Sequence, residues 1–145
     1  MINQFKNLSE EEKALLLKAP VLVSVLASSS FGELNQTQKK DAIKLAHLKT
    51  FTADPLLLPY YHEVEKGFTS EFEEAVIKYF PFDDSKRYAL KKEIDRVQQI
   101  LAKLDPAYAK KLNKSLHGYA DHVKRSTHSV FQDFLIPLHI QGWND

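Results

Sequence analysis

The chain has 145 residues, 43% hydrophobic and 27% charged, with a formal net charge of +1 and no cysteine. Such a length and composition fit one soluble globular domain. The missing thiols exclude disulfides, thiolate nucleophiles and Cys-ligated zinc or iron–sulfur centres. The opening Met1–Lys6 lacks a basic stretch leading into an apolar one, so no signal peptide is expected. The longest apolar run, Ala14 to Ala27, is interrupted by Lys18 and Pro20 and is too short to span a bilayer. A cytoplasmic protein without a membrane segment is the expectation.

Only four glycines occur, and no stretch alternates apolar and polar residues over the length of a strand. The hydrophobic period is helical nearly throughout. Ser9 and Glu12 have the spacing of a capping box, which predicts a first helix from about Glu10 to Lys18. Pro20 suits the first turn of a second helix, where its missing N–H costs nothing, and the apolar stretch Val21 to about Ser29 should be the buried centre. After Gly32, Asn35 with Gln38 predicts a third helix to about Phe51, with Ala42, Leu45 and Ala46 inward.

Asp54-Pro55 opens a fourth, carrying Leu56, Leu57, Tyr60, Tyr61 and Val64 to about Gly67. Ser70 with Glu73 caps a fifth that ends before Pro81. Asp83 or Asp84 starts a sixth, with Leu90, Ile94, Val97, Leu101 and Leu104 on one stripe. Asp105-Pro106 caps the last and longest, from Pro106 to about Leu135, whose buried face includes Tyr108, Leu112, Leu116, Tyr119, Val123 and Phe134. The prediction is all-α, a single domain over residues 1–145 built as a bundle of about seven helices with a long C-terminal helix.

Residues 26–40 read L-A-S-S-S-F-G-E-L-N-Q-T-Q-K-K, an apolar helix end, a glycine turn and a capped polar helix start. Leu26-Ala27, the Gly32-Glu33-Leu34 turn and the helix after it resemble the TerB-like (tellurite-resistance) helical family, with its pattern A-D-G-x-[IVL]-x-x-x-E. The stretch Ser115-Leu116-His117-Gly118-Tyr119-Ala120-Asp121-His122-Val123 is similar to the terminal helix of bacterial relatives of that group. The resemblance implies a bacterial all-helical domain whose turn holds a hard cation through two carboxylates. In this chain the family's Asp falls on Phe31 and its Glu on Gln38, and neither supplies an anionic oxygen. Glu33 and Asn35 remain close by, a poor pair for a divalent ion, so the family's metal site is expected to be lost.

Other residue pairs bear on chemistry. His117 and Asp121 lie one helical turn apart and could present two ligands to a metal. His128 is roughly 16 Å farther along the axis and cannot join them. A helical wheel sets His117 and Asp121 on the solvated side of the last helix, and His122 on its flank as the histidine expected to be partly buried. No G-x-S-x-G, phosphate-cradling loop or H-E-x-x-H occurs. No catalytic residue and no cofactor is nominated. Residues 86–125 hold 11 Lys/Arg against 4 Asp/Glu, a surplus of +7 that the remainder offsets with −6. The positive residues could form a joint surface on the sixth and seventh helices, but Tyr88 is the one aromatic beside them off the buried stripe, and nucleic-acid binding is not expected. The tail carries Ile136, Leu138, Ile140 and Trp143, which either close the core or anchor a partner or a second copy.

The leading expectation is a non-enzymatic TerB-like domain that acts through protein or self association, with Leu138, Ile140 and Trp143 as its contact residues. Two alternatives stay open. One is a metal-binding, tellurite-resistance-like stress protein using Glu33, Asn35, His117 or Asp121. The other is an enzyme with a site centred on His122, using Ser126 or Asp121.

Overall fold

Every residue from Ala19 to Ser28 is buried, because this stretch is apolar on all sides and only a position inside the fold hides all of it. The computed structural model describes residues 2–28 and 36–126, without the side chains of 36–38 and 124–126. Among the described residues there are five α-helices: α1 (Glu10–Ala27), α2 (Gln36–Thr52), α3 (Leu58–Tyr79), α4 (Asp84–Leu101) and α5 (Pro106–Ser126). A 3-10 turn at Asn3–Phe5 precedes them and another, Pro55–Leu57, joins α2 to α3. No strand occurs among the described residues, and none of the described helices is long and apolar enough to cross a membrane.

Helix α1 is the centre. It packs on α3, α4 and α5, and α2 lies outside, on α3 and α5. Each outer helix turns a stripe inward: Tyr60, Tyr61, Val64, Phe68, Phe72, Ala75 and Tyr79 from α3; Leu90, Ile94, Val97, Ile100 and Leu101 from α4. Helix α5 adds Tyr108, Leu112, Leu116, Tyr119, Ala120 and Val123. Phe5 closes one end, with its ring edge-on to Tyr60 at 6.2 Å and to Tyr108 at 6.4 Å.

The expected caps form at three of the helix starts. Ser9 Oγ accepts from the Glu12 amide at 3.1 Å while Glu12 Oε1 accepts from the Ser9 amide at 2.9 Å. Asp83 accepts from the Lys86 amide at 2.8 Å and Asp105 from the Tyr108 amide at 3.2 Å. The cap expected at Asn35 lies outside the described residues.

Two expected helix breaks are absent, which corrects seven helices to five. The first was at Pro20. A proline inside a helix has no N–H for the carbonyl four residues earlier, which is that of Leu16. Here the buried Tyr60 hydroxyl donates to the Leu16 carbonyl at 2.7 Å, and Ser24 Oγ donates to the Pro20 carbonyl at 2.7 Å. With the orphaned acceptor satisfied from α3, α1 runs through Pro20 unbroken. The second break was at Gly67 to Ser70. The inward residues of α3 keep one four-residue rhythm across it, and burying that stripe outweighs the roughly 1 kcal/mol that glycine costs inside a helix. Helix α5 is described over 21 residues, to Ser126, and α3 over 22. The expected continuation of α5 to Leu135 lies outside the described residues.

Buried tyrosines tie the helices together. Besides Tyr60, the Tyr119 hydroxyl donates to the Ala42 carbonyl at 2.8 Å, and the Tyr61 and Ser115 hydroxyls share a bond of 2.5 Å. Tyr108 Oη is buried with no hydrogen-bond partner among the described residues. Tyr60→Phe should therefore cost about 1–3 kcal/mol in urea unfolding, because it strands a buried carbonyl. Adding Pro20→Ala, which returns an N–H to that carbonyl, should recover much of the loss. Tyr108→Phe should be neutral or stabilising. Burial also raises the tyrosine hydroxyl pKa values, that of Tyr108 to about 12. A raised folded-state value means stability that is whole below the unfolded value near 10 and is lost as pH rises beyond it. Thermal melts should hold level to about pH 9 and fall steeply above about pH 10.

Candidate functional site

The residues singled out for metal chemistry are not brought together. Phe31, Glu33 and Asn35 lie outside the described residues, and so does the side chain of Gln38. His117 and Asp121 stand one turn apart on α5, both partly buried. Among the described residues no group of three or more His, Cys, Asp or Glu side chains could hold a metal ion.

The two histidines of α5 exchange their expected settings. His122 is exposed and His117 is partly buried. Burial on α5 extends round to Asn113 and Ala120, each within a turn of His117. The inward arc is thus broader on that side than the Leu112–Leu116–Val123 stripe indicates. Among the described residues nothing encloses the exposed His122 ring, and the Ser126 side chain is not described. Ser115, on the same flank, is occupied by its bond to Tyr61.

Helices α4 and α5 each pack on α1 far more than on one another. Tyr88 is exposed, with the Lys92 ammonium 5.3 Å from its ring centre, and the Arg87 guanidinium lies 5.7 Å from the ring of Phe82.

A cleft of about 240 Å³ opens where α1, α3 and α4 meet, lined by Lys18, Leu22, Glu71, Glu74, Lys78, Tyr79 and Glu93 among others. Both signs of charge line it, and no histidine, serine or threonine does. The Glu71 carboxyl is pushed above its ordinary value by burial; Lys18 opposes the rise and Glu74 adds to it. The cleft thus sets three carboxylates against two lysine ammonium groups.

The feature that sequence reasoning missed is the outer face of α2. Lys40, Lys44, His47, Leu48 and Phe51 are all exposed, and their three- and four-residue spacing puts them on one side of the helix. Phe51 is 70% exposed, Leu48 39%, and Leu56 in the turn after α2 is 40% exposed. His47 Nδ1 pairs with the Glu65 carboxylate of α3, and its ring meets Phe51 edge-on at 5.3 Å. Lys111 Nζ pairs with Asp54 at 2.9 Å at the same end of the bundle. The buried face of α2 is spent on Ala42, Leu45 and Ala46, so one short helix carries apolar residues on opposite sides. That doubled pattern, readable in Lys40–Lys44–Leu48–Phe51, was the available signal. Leu138, Ile140 and Trp143 lie outside the described residues.

Comparison with family models, with curated proteins and with solved structures finds no match to this chain.

The Glu71 carboxyl supplies a check on the electrostatics of the cleft. Its raised value means that its contribution to stability is present below the ordinary carboxylate range and is lost as pH rises through the folded-state value. Glu71→Gln should raise Tm at pH 7, and the gain should vanish near pH 4, where the parent carboxyl is protonated as well.

Proposed function

We propose that the chain is a non-enzymatic helical domain of the TerB-like type, working in the bacterial cytoplasm through contacts with a partner protein or with itself. The observation that supports it is the exposed apolar corner of Leu48, Phe51 and Leu56. A phenylalanine held 70% exposed on a regular helix gains little from its own fold, and aromatic side chains of this kind are the usual anchors of protein contacts. The apolar tail residues Leu138, Ile140 and Trp143 are the second set of contact residues, nominated by sequence. In this reading the cation site of the resembling family is lost at Phe31 and Gln38, and the helical scaffold serves recognition alone.

A photo-crosslinking amino acid at position 51 tests this in living cells. Position 77 is the control, because Ile77 is 81% exposed but stands alone on α3. Discrete protein adducts should form from position 51 and not from 77. Adducts of the chain with itself should go with a concentration-dependent rise in sedimentation coefficient, and this rise should disappear in Phe51→Ser. No adduct at 51 beyond that at 77, from a chain that sediments as a monomer, would overturn the proposal.

A further inference from the structure

The outer face of α2 carries its charge and its apolar surface in a fixed order. Lys40 and Lys44 come first, then His47 and Leu48, and Phe51 stands at the end with Leu56 beyond it. His47 is matched by Glu65 and Lys111 by Asp54. Lys40 and Lys44 have no ion pair among the described residues. The stripe therefore presents two uncompensated ammonium groups followed by a protruding aromatic ring. The geometry points to an acidic amphipathic segment of a partner protein as its occupant, with an aliphatic or aromatic anchor packed on Phe51, Leu48 and Leu56 and carboxylates beside Lys40 and Lys44. This inference rests on the association reading above and supplies the chemistry of the partner.

The area decides between a segment and a folded copy. The three side chains leave on the order of 300 Å² of apolar surface exposed, against roughly 450 Å² of apolar surface within the about 800 Å² per partner of a standard stable interface. That suffices to seat two or three anchor residues of a peptide helix, whose hydrophobic positions recur at the same three- and four-residue spacing. It falls short of what holds two globular copies together. The charge argues against a lipid surface. Two lysines near an anionic bilayer supply only about 2 kcal/mol, and an interfacial helix needs a broad apolar face lying in the membrane plane. Here Leu48 and Leu56 are sunk to about 40% exposure and Phe51 alone stands clear.

A phage library of random peptides, panned against the full chain, supplies the probe. Selected peptides should pair acidic residues with Leu, Phe or Trp at helical spacing. A fluorescent copy of the best one should bind with a Kd that weakens as salt rises from about 50 to 500 mM, since screening removes the attraction to the lysines. Phe51→Ser should weaken it at least tenfold. Lys40→Glu with Lys44→Glu should do the same and should select basic peptides instead. These exposed substitutions leave the buried face of α2 intact, and circular dichroism checks the fold.

Peptides that bind equally well to the charge-reversed chain would overturn the acidic partner while leaving association through Phe51 standing. Failure to select any peptide that depends on Phe51 would overturn the docking site. Dimerisation abolished by Phe51→Ser, without peptide binding, would replace the segment with a second copy. Sedimentation of the chain with phosphatidylserine vesicles, lost in Lys40→Glu/Lys44→Glu, would replace it with a membrane.

Discussion

A single hydroxyl allows the central helix to exist. Pro20 sits in the middle of α1 and leaves the Leu16 carbonyl without its helical donor, deep inside the bundle. An unpaired carbonyl there would cost as much as several well-made surface contacts contribute. Tyr60 answers it from the neighbouring helix at 2.7 Å. Since α1 touches α3, α4 and α5, the continuity of that one helix sets where the other three can lie.

The same device recurs with less at stake. Tyr119 reaches from α5 to a carbonyl of α2, and Tyr61 reaches from α3 to a serine of α5. Each ring fills core volume while its oxygen fixes a neighbour in register, which a phenylalanine of equal bulk would not do. The tyrosine hydroxyls of the core that find partners thus act between helices. Tyr108, equally buried and without a partner among the described residues, shows that the ring alone suffices for packing.

Helix class and the inward stripes were legible because they follow from local period and from caps. Ser9, Asp83 and Asp105 bond as their spacing implies. What stayed hidden depended on partners remote in sequence. Proline and a serine–glutamate pair are local signals for a break, and nothing local to Pro20 announces a tyrosine forty residues on. The continuity of α3 across Gly67 is likewise decided by what packs on its stripe. Side-chain settings on α5 failed for a related reason: a wheel shows which face is apolar but not how far round the neighbours wrap, and they wrap past Asn113 toward His117. On α2 the inward alanines drew attention from Leu48 and Phe51. The second stripe, Lys40–Lys44–Leu48–Phe51, is legible in the spacing, but its exposure follows only from the inner face being filled by Ala42, Leu45 and Ala46.

The carboxylate of Glu12 belongs to two structures at once. It closes the capping box with Ser9 and also accepts from Lys103, in the connection between α4 and α5. An end cap is ordinarily a private matter of its own helix, and the first turn frays independently of the rest. Here the opening turn of α1 cannot loosen without releasing a corner formed some ninety positions later. Its amides should exchange more slowly than those of a helix start held by its cap alone, because opening the turn also breaks the contact with Lys103.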